Sequence, residues 1–372
     1  MIVTRSHSRR LAAGSLAACA ALALSACGNN KTTAATTSSG TGSAAAPTYC
    51  ATGSLSAQGS TFQLNAEAQW IKDYQAKCSG AQIVYTGTGS GAGKTAFGDG
   101  TADFGGTDTL PKAVEQTAAD KRCGTGNKGI ITPIVAGAVV VTYHLNGVTG
   151  LTFSPATLAG IFEKKIVRWN DPAIAADNPG VTLPNIPIVP LHRNDSSGTT
   201  QIFTTWLDTN AGAAWTLGDG QTVNWPSDEQ SGKGSTGVTT AVAQSLGGIT
   251  YTELSFAAQH NLPSAKVKNA AGQAVAATGA SVSAALASAT VDTSHGDLRV
   301  SPDFTTNAPA AYPLSSPTFV LTCNAGNKNA ALLKGYLTYA LTDGEAVLPS
   351  LGYAPLPAAL QAKALAQVAT LT

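Results

Sequence analysis

The chain has 372 residues, and 22 Lys and Arg stand against 21 Asp and Glu for a formal charge of +1. Only 12% of the residues are charged and they form no basic cluster. A nucleic-acid binder carries a concentrated cationic face, so that class is set aside.

Arg5, Arg9 and Arg10 precede the small, apolar run Leu11–Leu24, which reads as an export leader too short to remain as a membrane anchor. Ser8-Arg9-Arg10-Leu11 is also weakly similar to a twin-arginine signal. The run ends in Leu24-Ser25-Ala26-Cys27, which resembles the lipobox of bacterial lipoproteins. That resemblance implies removal of residues 1–26 and a lipid on Cys27 that holds the chain at the membrane; the alternative is an ordinary leader with an incidental cysteine. Losing three arginines and no acid takes the formal charge from +1 to −2. Residues 28–48 are mostly Thr, Ser, Gly and Ala and read as a flexible tether, so 27–48 is expected to be lipidated Cys plus tether. Roughly 320 residues remain, enough for two domains of ordinary size.

Of six cysteines, Cys19 leaves with the leader and Cys27 takes the lipid, leaving Cys50, Cys78, Cys123 and Cys323. An even set outside the cytoplasm suggests two disulfides with three possible pairings. Cys50 precedes the first strand and Cys78 ends the next helix, and in a βαβ unit those points return to one edge. The reading favours Cys50–Cys78 and leaves Cys123–Cys323. A metal site is the rival, disfavoured by wide spacings with no histidine near them.

From residue 52, short strands, glycine-rich turns and helices alternate, the pattern of an α/β protein. Leu55–Ala57 is a weak strand, followed by Gly59-Ser60-Thr61-Phe62 and a helix over 65–77 with Trp70, Ile71 and Tyr74 inward. Ile83-Val84-Tyr85 is a strand ending in the glycine-rich run 87–93, and Ala102–Gly105 another closed by Gly106-Thr107-Asp108. Ile130–Tyr143 reads as a connection plus a core strand, with a first domain crossing near Pro133. Leu158–Trp169 reads as an amphipathic helix. Ile186–Leu191, with two prolines, reads as an edge or irregular strand feeding His192–Thr200. A helix carrying Ile202, Phe203 and Trp206 follows; 211–236 reads as a surface excursion, Gly248–Tyr251 as a strand and 270–290 as an alanine-rich helix or loop. Ala311-Tyr312-Pro313 carries the return crossing, Phe319–Leu321 is a strand, and Ala330–Leu341 and Ala358–Ala369 are helices, the last largely buried. The expected domains are 49–133 plus 313–372, and 134–312, joined by a hinge over a ligand cleft.

The sharpest local signal is Arg193-Asn194-Asp195-Ser196-Ser197-Gly198-Thr199-Thr200, between a β run and a helix. Ser and Thr there can cap the helix, and the free amides at its start can hold an anion. Arg193 adds fixed donors that Asp195 can orient. Gly87–Gly93 precedes Lys94-Thr95, but Thr88 stands where a P-loop needs glycine, and an exported protein has no ready ATP. Ser90 is therefore read as a donor at a helix start and Lys94 as solvated. Thr61 adds a hydroxyl. Asp108 adds a carboxylate that tolerates an anion only if a proton lies between them, which favours HPO₄²⁻ over sulfate.

At this point the chain resembles the periplasmic phosphate-binding proteins of the high-affinity phosphate ABC importer, with the type II solute-binding fold, over about Gly53–Pro357. The resemblance rests on Gly59–Phe62, Gly89–Gly93, Asp103–Asp108, Ile161-Phe162 with Lys165 and Trp169–Ile174, Asn178-Pro179-Gly180, and Arg193–Thr200, in this order and spacing. It implies a periplasmic-binding-protein-like α/β fold of two domains, no enzymatic step, and no cofactor or metal. It further implies that Thr61, the amide of Phe62, Ser90, Asp108, Arg193, Asp195, Ser197 and the amides of Gly198 and Thr199 hold dehydrated phosphate. Thr61, Ser90, Ser197 and Thr199 would donate hydroxyls, Arg193 would neutralise charge, and Asp108 would accept the phosphate proton. Ser196 stands where a glycine is common, and Gly106 where alanine is. The implied partners are inorganic phosphate and the importer's permease subunits with their cytoplasmic ATPase, met by a lipid-anchored monomer on the extracytoplasmic side of the cell membrane. The alternatives are a sulfate or molybdate carrier, a sensor or adhesin on the same fold, and an exported hydrolase. The last is opposed by the lack of a G-x-S-x-G elbow around Ser197, with His192 read as a packing or surface residue.

Overall fold

The computed structural model describes residues 47–372, so the leader, Cys27 and the tether up to residue 46 lie outside the described residues. The first third alternates strictly: β1 (Gly53–Gly59), α1 (Leu64–Lys77), β2 (Ala81–Gly87), α2 (Ser90–Gly98), β3 (Phe104–Thr107) and α3 (Ala113–Cys123). In α1 the buried positions are Ala66, Glu67, Trp70 and Tyr74, the three-to-four spacing of one helix face. Next come β4 (Gly129–Tyr143), β5 (Thr152–Phe153), α4 (Pro155–Phe162), α5 (Pro172–Asp177), β6 (Val189–Arg193) and α6 (Gly198–Asn210). Both α4 and α5 start with proline at the first helical position behind a capping Ser154 or Asp171 side chain. The chain continues through β7 (Gln230–Gly232), α7 (Gly234–Gln244), β8 (Gly248–Glu253), α8 (Leu254–Gln259), β9 (Lys266–Lys268), β10 (Ala274–Val275), α9 (Gly279–Leu286), β11 (Thr290–Asp292) and β12 (Arg299–Ser301). It closes with β13 (Ser315–Cys323), α10 (Ala330–Ala340) and α11 (Ala358–Ala369).

Eight strands form one sheet in the order β2-β1-β3-β13-β4-β8-β6-β7. Its two wings are parallel: β1 pairs with β2 and β3, and β6 pairs with β7 and β8. The middle is antiparallel, where β13 pairs with β3 and β4, and β4 with β8. Parallel strands aligned this way end together, Gly59 beside Gly87 and Gly106 in one wing, Arg193 beside Gly232 in the other. The turns after those ends are where open parallel sheets place ligands. Cys50 is bonded to Cys78 and Cys123 to Cys323.

Several elements differ from the sequence expectation. Residues 129–143 are one strand, buried along its whole length, rather than a connection plus a strand. The interior Pro133 is accommodated because the ladder slips: Phe319 faces Pro133 while Thr318 faces Val135, leaving Ile134 extra. The helix expected to reach Trp169 stops at Phe162. Lys164 adopts a left-handed φ of 56°, and the amides of Lys165 and Ile166 turn back onto the Gly160 carbonyl at 2.8 and 2.9 Å. The proline-containing strand β6 is not at the edge, since it lies between β8 and β7 and pairs with them through different residues. Segment 211–236 is not only a surface excursion, because it supplies β7 and the start of α7. Helix α11 buries a single face, Leu360, Ala364 and Val368; its low polarity comes from small alanines, several of them exposed.

Candidate functional site

Two turns meet where the wings' strand ends face each other. The turn after β2 leads into α2, and the amide of Gly91 donates to the Ser196 carbonyl at 3.0 Å, joining it to the turn before α6. Close packing also requires Gly198. A Cβ there would lie 2.5 Å from both Asp108 Oδ2 and Ser90 Oγ. Ser197 caps α6 by accepting the Thr200 amide at 3.1 Å, which leaves the amides of Gly198 and Thr199 at the helix start without intrahelical acceptors.

Asp108, 4% exposed, is the centre of the first wing's contribution. Its Oδ1 accepts from the hydroxyls of Ser60 and of Thr318, the latter at 2.7 Å, and its Oδ2 accepts from Ser90 Oγ at 2.9 Å. Burial pushes this carboxyl up to about 6, with the Ser60 and Thr318 hydroxyls opposing the rise and the charge of Glu253 adding to it. Ser60 Oγ also accepts the Phe62 amide at 2.9 Å, which fixes the turn into α1.

The second wing contributes Arg193 at the end of β6, itself 4% exposed. Its Nε and Nη2 donate to the two oxygens of Asp195 at 2.7 and 2.5 Å. That leaves Nη1, which reaches Ser235 Oγ at 3.1 Å and Thr199 Oγ1 at 3.3 Å. Burial works to raise Asp195, but the bidentate guanidinium outweighs it and holds the carboxyl below its usual range. Asp195 Oδ1 also accepts the Gly234 amide at 3.0 Å, tying the start of α7 to the same cluster. Thr61 crosses from the first wing to meet Ser235, hydroxyl to hydroxyl, at 2.7 Å.

All nine positions inferred from sequence, Thr61, Phe62, Ser90, Asp108, Arg193, Asp195, Ser197, Gly198 and Thr199, therefore lie in one connected cluster. Cys27 lies outside the described residues. Three expectations change in detail. Ser90 and Thr199 each give their single hydroxyl proton to a carboxylate, Asp108 Oδ2 at 2.9 Å and Glu253 Oε1 at 2.6 Å, and Thr199 offers the cluster its amide instead. Lys94, expected to be solvated, is 2% exposed; its ammonium sits 2.8 Å from Glu115 Oε2 and 3.3 Å from Thr109 Oγ1. His192 stacks on Trp225 with ring centroids 5.1 Å apart and puts Nδ1 on the Arg193 carbonyl, so it serves packing and not Ser197.

Four further residues belong to the site. Ser60, Ser235, Glu253 and Thr318 are each at most 2% exposed and each contact one of the nine directly. Ser235 had a visible signal: Lys233-Gly234-Ser235-Thr236-Gly237 at the start of α7 repeats the small, hydroxyl-bearing character of Ser197-Gly198-Thr199-Thr200 at the start of α6. Ser60 lay inside the Gly59–Phe62 motif. Glu253 and Thr318 sit within strands and carried no local signal.

The arrangement joins the N-termini of α2, α6 and α7, several hydroxyls and one guanidinium edge, with a buried carboxylate among them. Helix starts favour negative charge, and the carboxylate demands a proton on whatever it touches, so the chemistry suits a small, partly protonated oxyanion.

Residues 31–344 match the model of the PBP superfamily domain. The chain is 37% identical to phosphate-binding protein PstS 3 of Mycobacterium tuberculosis over 354 residues, 93% of this chain and 94% of that one. It is 36% identical to phosphate-binding protein PstS of Methanocaldococcus jannaschii over 322 residues, 80% and 81% of the two chains. Among solved structures it superposes on a high-affinity periplasmic phosphate-binding protein, PfluDING, bound with phosphate. The TM-score is 0.69 and the identity 25%, over 84% of this chain and 93% of that one. The phosphate-binding protein of Stenotrophomonas maltophilia, at 21% identity and TM-score 0.67 over 84% and 93% of the chains, shares the fold. With a superfamily model matched over most of its length and relatives this similar end to end, the chain belongs to the PstS family of phosphate-binding proteins, within the PBP superfamily.

Proposed function

We propose that this chain is the extracytoplasmic subunit that captures inorganic phosphate for an ABC-type importer. The observation that carries the reading is Asp108, an acceptor held among donors and in van der Waals range of the α6 start. A fully deprotonated oxyanion would meet the carboxylate's lone pairs, whereas HPO₄²⁻ brings the proton that makes the contact a hydrogen bond. No bond is made or broken. Thr61, the amide of Phe62, Ser90, Arg193, Ser197 and the amides of Gly198 and Thr199 would surround the ligand, with Asp195 orienting Arg193.

The same reading takes the sheet's two wings as two lobes. They would be residues 49–133 with 313–372, and 134–312, closing over phosphate along the line where β4 and β13 cross between them. A lipid on Cys27 would hold the protein at the membrane, where its closed form meets the permease subunits. The relatives' names and the fold support an extracytoplasmic carrier. Among the described residues no helix is long and apolar enough to cross a membrane.

Isothermal titration of anion-stripped protein tests the reading. Saturable one-to-one phosphate binding with no sulfate response at neutral pH is expected, weakened at least a hundredfold in Arg193→Ala. A folded, anion-free protein that gives no phosphate heat would overturn it.

A further inference from the structure

Behind Asp108 a line of polar side chains runs into the core of the first wing. Thr318 Oγ1 lies 2.7 Å from Asp108 Oδ1, 2.8 Å from Gln63 Oε1 and 3.2 Å from the Thr107 carbonyl. Gln63 turns its Nε2 to Glu67 Oε1 at 3.2 Å, and Glu67 Oε2 accepts the Tyr336 phenol. Gln63, Glu67, Thr318 and Tyr336 are all fully buried. The register slip between Thr318 and Phe319 falls at the residue that delivers the hydroxyl.

A threonine hydroxyl has one proton, so Thr318 can serve only one of its three acceptors at a time. Gln63 cannot supply a second proton toward Thr318 while its amide nitrogen faces Glu67. The ionised carboxylate is the strongest of the three acceptors, because a charge-assisted bond is worth about twice a neutral one. Once Asp108 is protonated on Oδ2, the oxygen beside the start of α6, its Oδ1 is a neutral acceptor no stronger than the Gln63 amide oxygen, and Thr318 is free to turn its proton to Gln63.

We propose that Thr318 and Gln63 together form a hydroxyl switch that sets how readily Asp108 stays an acceptor, and through it the exclusion of unprotonated oxyanions. The proposal rests on the phosphate-binding reading. An ionised Asp108 rejects sulfate for want of a proton; a protonated Asp108 becomes a donor and admits it. Other groups also act on Asp108. The Ser60 and Ser90 hydroxyls and the Lys94 cation of α2 favour its ionised form, the Glu253 charge of β8 opposes it, and the Tyr85 phenol of β2 lies within electrostatic range. Thr318 differs in being able to turn away.

Sulfate is the clean probe, since it does not titrate between about pH 5 and 8 whereas carboxyls do. Sulfate and phosphate affinities are measured by titration calorimetry across that range on anion-stripped protein. In the wild type, sulfate binding should emerge only as pH falls through the Asp108 transition. Thr318→Val removes a donor from the carboxylate, so the onset should move up by about one pH unit, a tenfold loss of discrimination at fixed pH. Thr318→Ser should restore the wild-type profile. Gln63→Met deletes the competing acceptor and should move the onset the other way, which keeps the test decisive if Thr318→Val folds poorly. Phosphate binding with a sulfate onset unmoved in Thr318→Val and Gln63→Met would overturn the switch alone. A wild type that binds no phosphate would overturn the transport reading, and the switch with it.

Discussion

Arg193 gives two of its nitrogens to Asp195 and keeps Nη1 for the rest of the cluster, so its charge is balanced within its own turn. Asp108 and Glu253 add carboxylates nearby, and the site as a whole has no excess of positive charge. An anion there is held by amide and hydroxyl dipoles at hydrogen-bond range, which salt screens weakly. Phosphate affinity is accordingly expected to change less than about threefold between roughly 0.05 and 0.5 M NaCl, read by titration calorimetry; a steep loss would mean that long-range attraction dominates. Asp195→Ala should cost about 3–5 kcal/mol in urea unfolding, because it strands a buried guanidinium. Most of the cluster was legible one residue at a time, since Thr61, Ser90, Asp108 and Arg193–Thr199 each sit in a short glycine- and hydroxyl-rich turn after a strand. Glu253 and Thr318 were not. Glu253 meets Thr199 from 54 residues away and Thr318 meets Asp108 from 210, and such pairings exist only once the sheet order is known.

At the scale of elements, the hydrophobic period, read with the turn signals, located β1, α1, β2 and β3 of the first wing but gave no reading of α3, which buries only Ala119 and Cys123. It misjudged Ile130–Tyr143, because a fully buried strand has no alternation to read and Pro133 argued for a break that the slipped register absorbs. It overran α4, whose apolar pattern continues into a turn that half-buries Ile166 and buries Trp169 without being helical. The connection 211–229 also does more than its composition suggests. Gln221 accepts from Ser196 Oγ at 2.8 Å and donates to Thr109 Oγ1 at 2.7 Å, linking the second wing to the first beside the site. The bridge Cys123–Cys323 lies at the C-terminal end of β13, beyond Thr318 in the strand's interior, and closes a loop of 200 residues. Replacing both cysteines with serine should lower unfolding stability by about 2–5 kcal/mol, measured by denaturant midpoint. Phosphate affinity should stay within about twofold, since no site residue touches the bridge.

Over the whole molecule, buried carboxyls govern the response to pH. Burial lifts Glu67 to about 7, against the Tyr336 and Gln63 hydrogen bonds, and Asp108 to about 6. Their folded values exceed the unfolded ones, so the native state binds more protons through that interval and stability falls as pH rises through it. Asp195, held low, acts oppositely and loses its contribution only in stronger acid. The ligand-free protein should therefore melt at a lower temperature at about pH 7.5 than at about pH 5. Glu67→Gln should flatten that slope by an amount on the order of 3 kcal/mol. A melting temperature that rises over the same range would contradict it.

The crossing of β4 and β13 has a mechanical consequence. The two wings are joined by continuous backbone whose ladder runs from Gly129 beside Cys323 to Ala138 beside Ser315, and on to Val139, which donates to the Leu314 carbonyl at 2.9 Å. A pair of hydrogen-bonded ribbons bends far more easily than it slides, so it behaves as a leaf spring with one soft axis. Any motion between the wings is then a rocking about that axis. Were the two wings to open and close as proposed, the turns carrying Ser90 and Gly198 would return to the same alignment on every stroke, and the donors would need no search to find each other again.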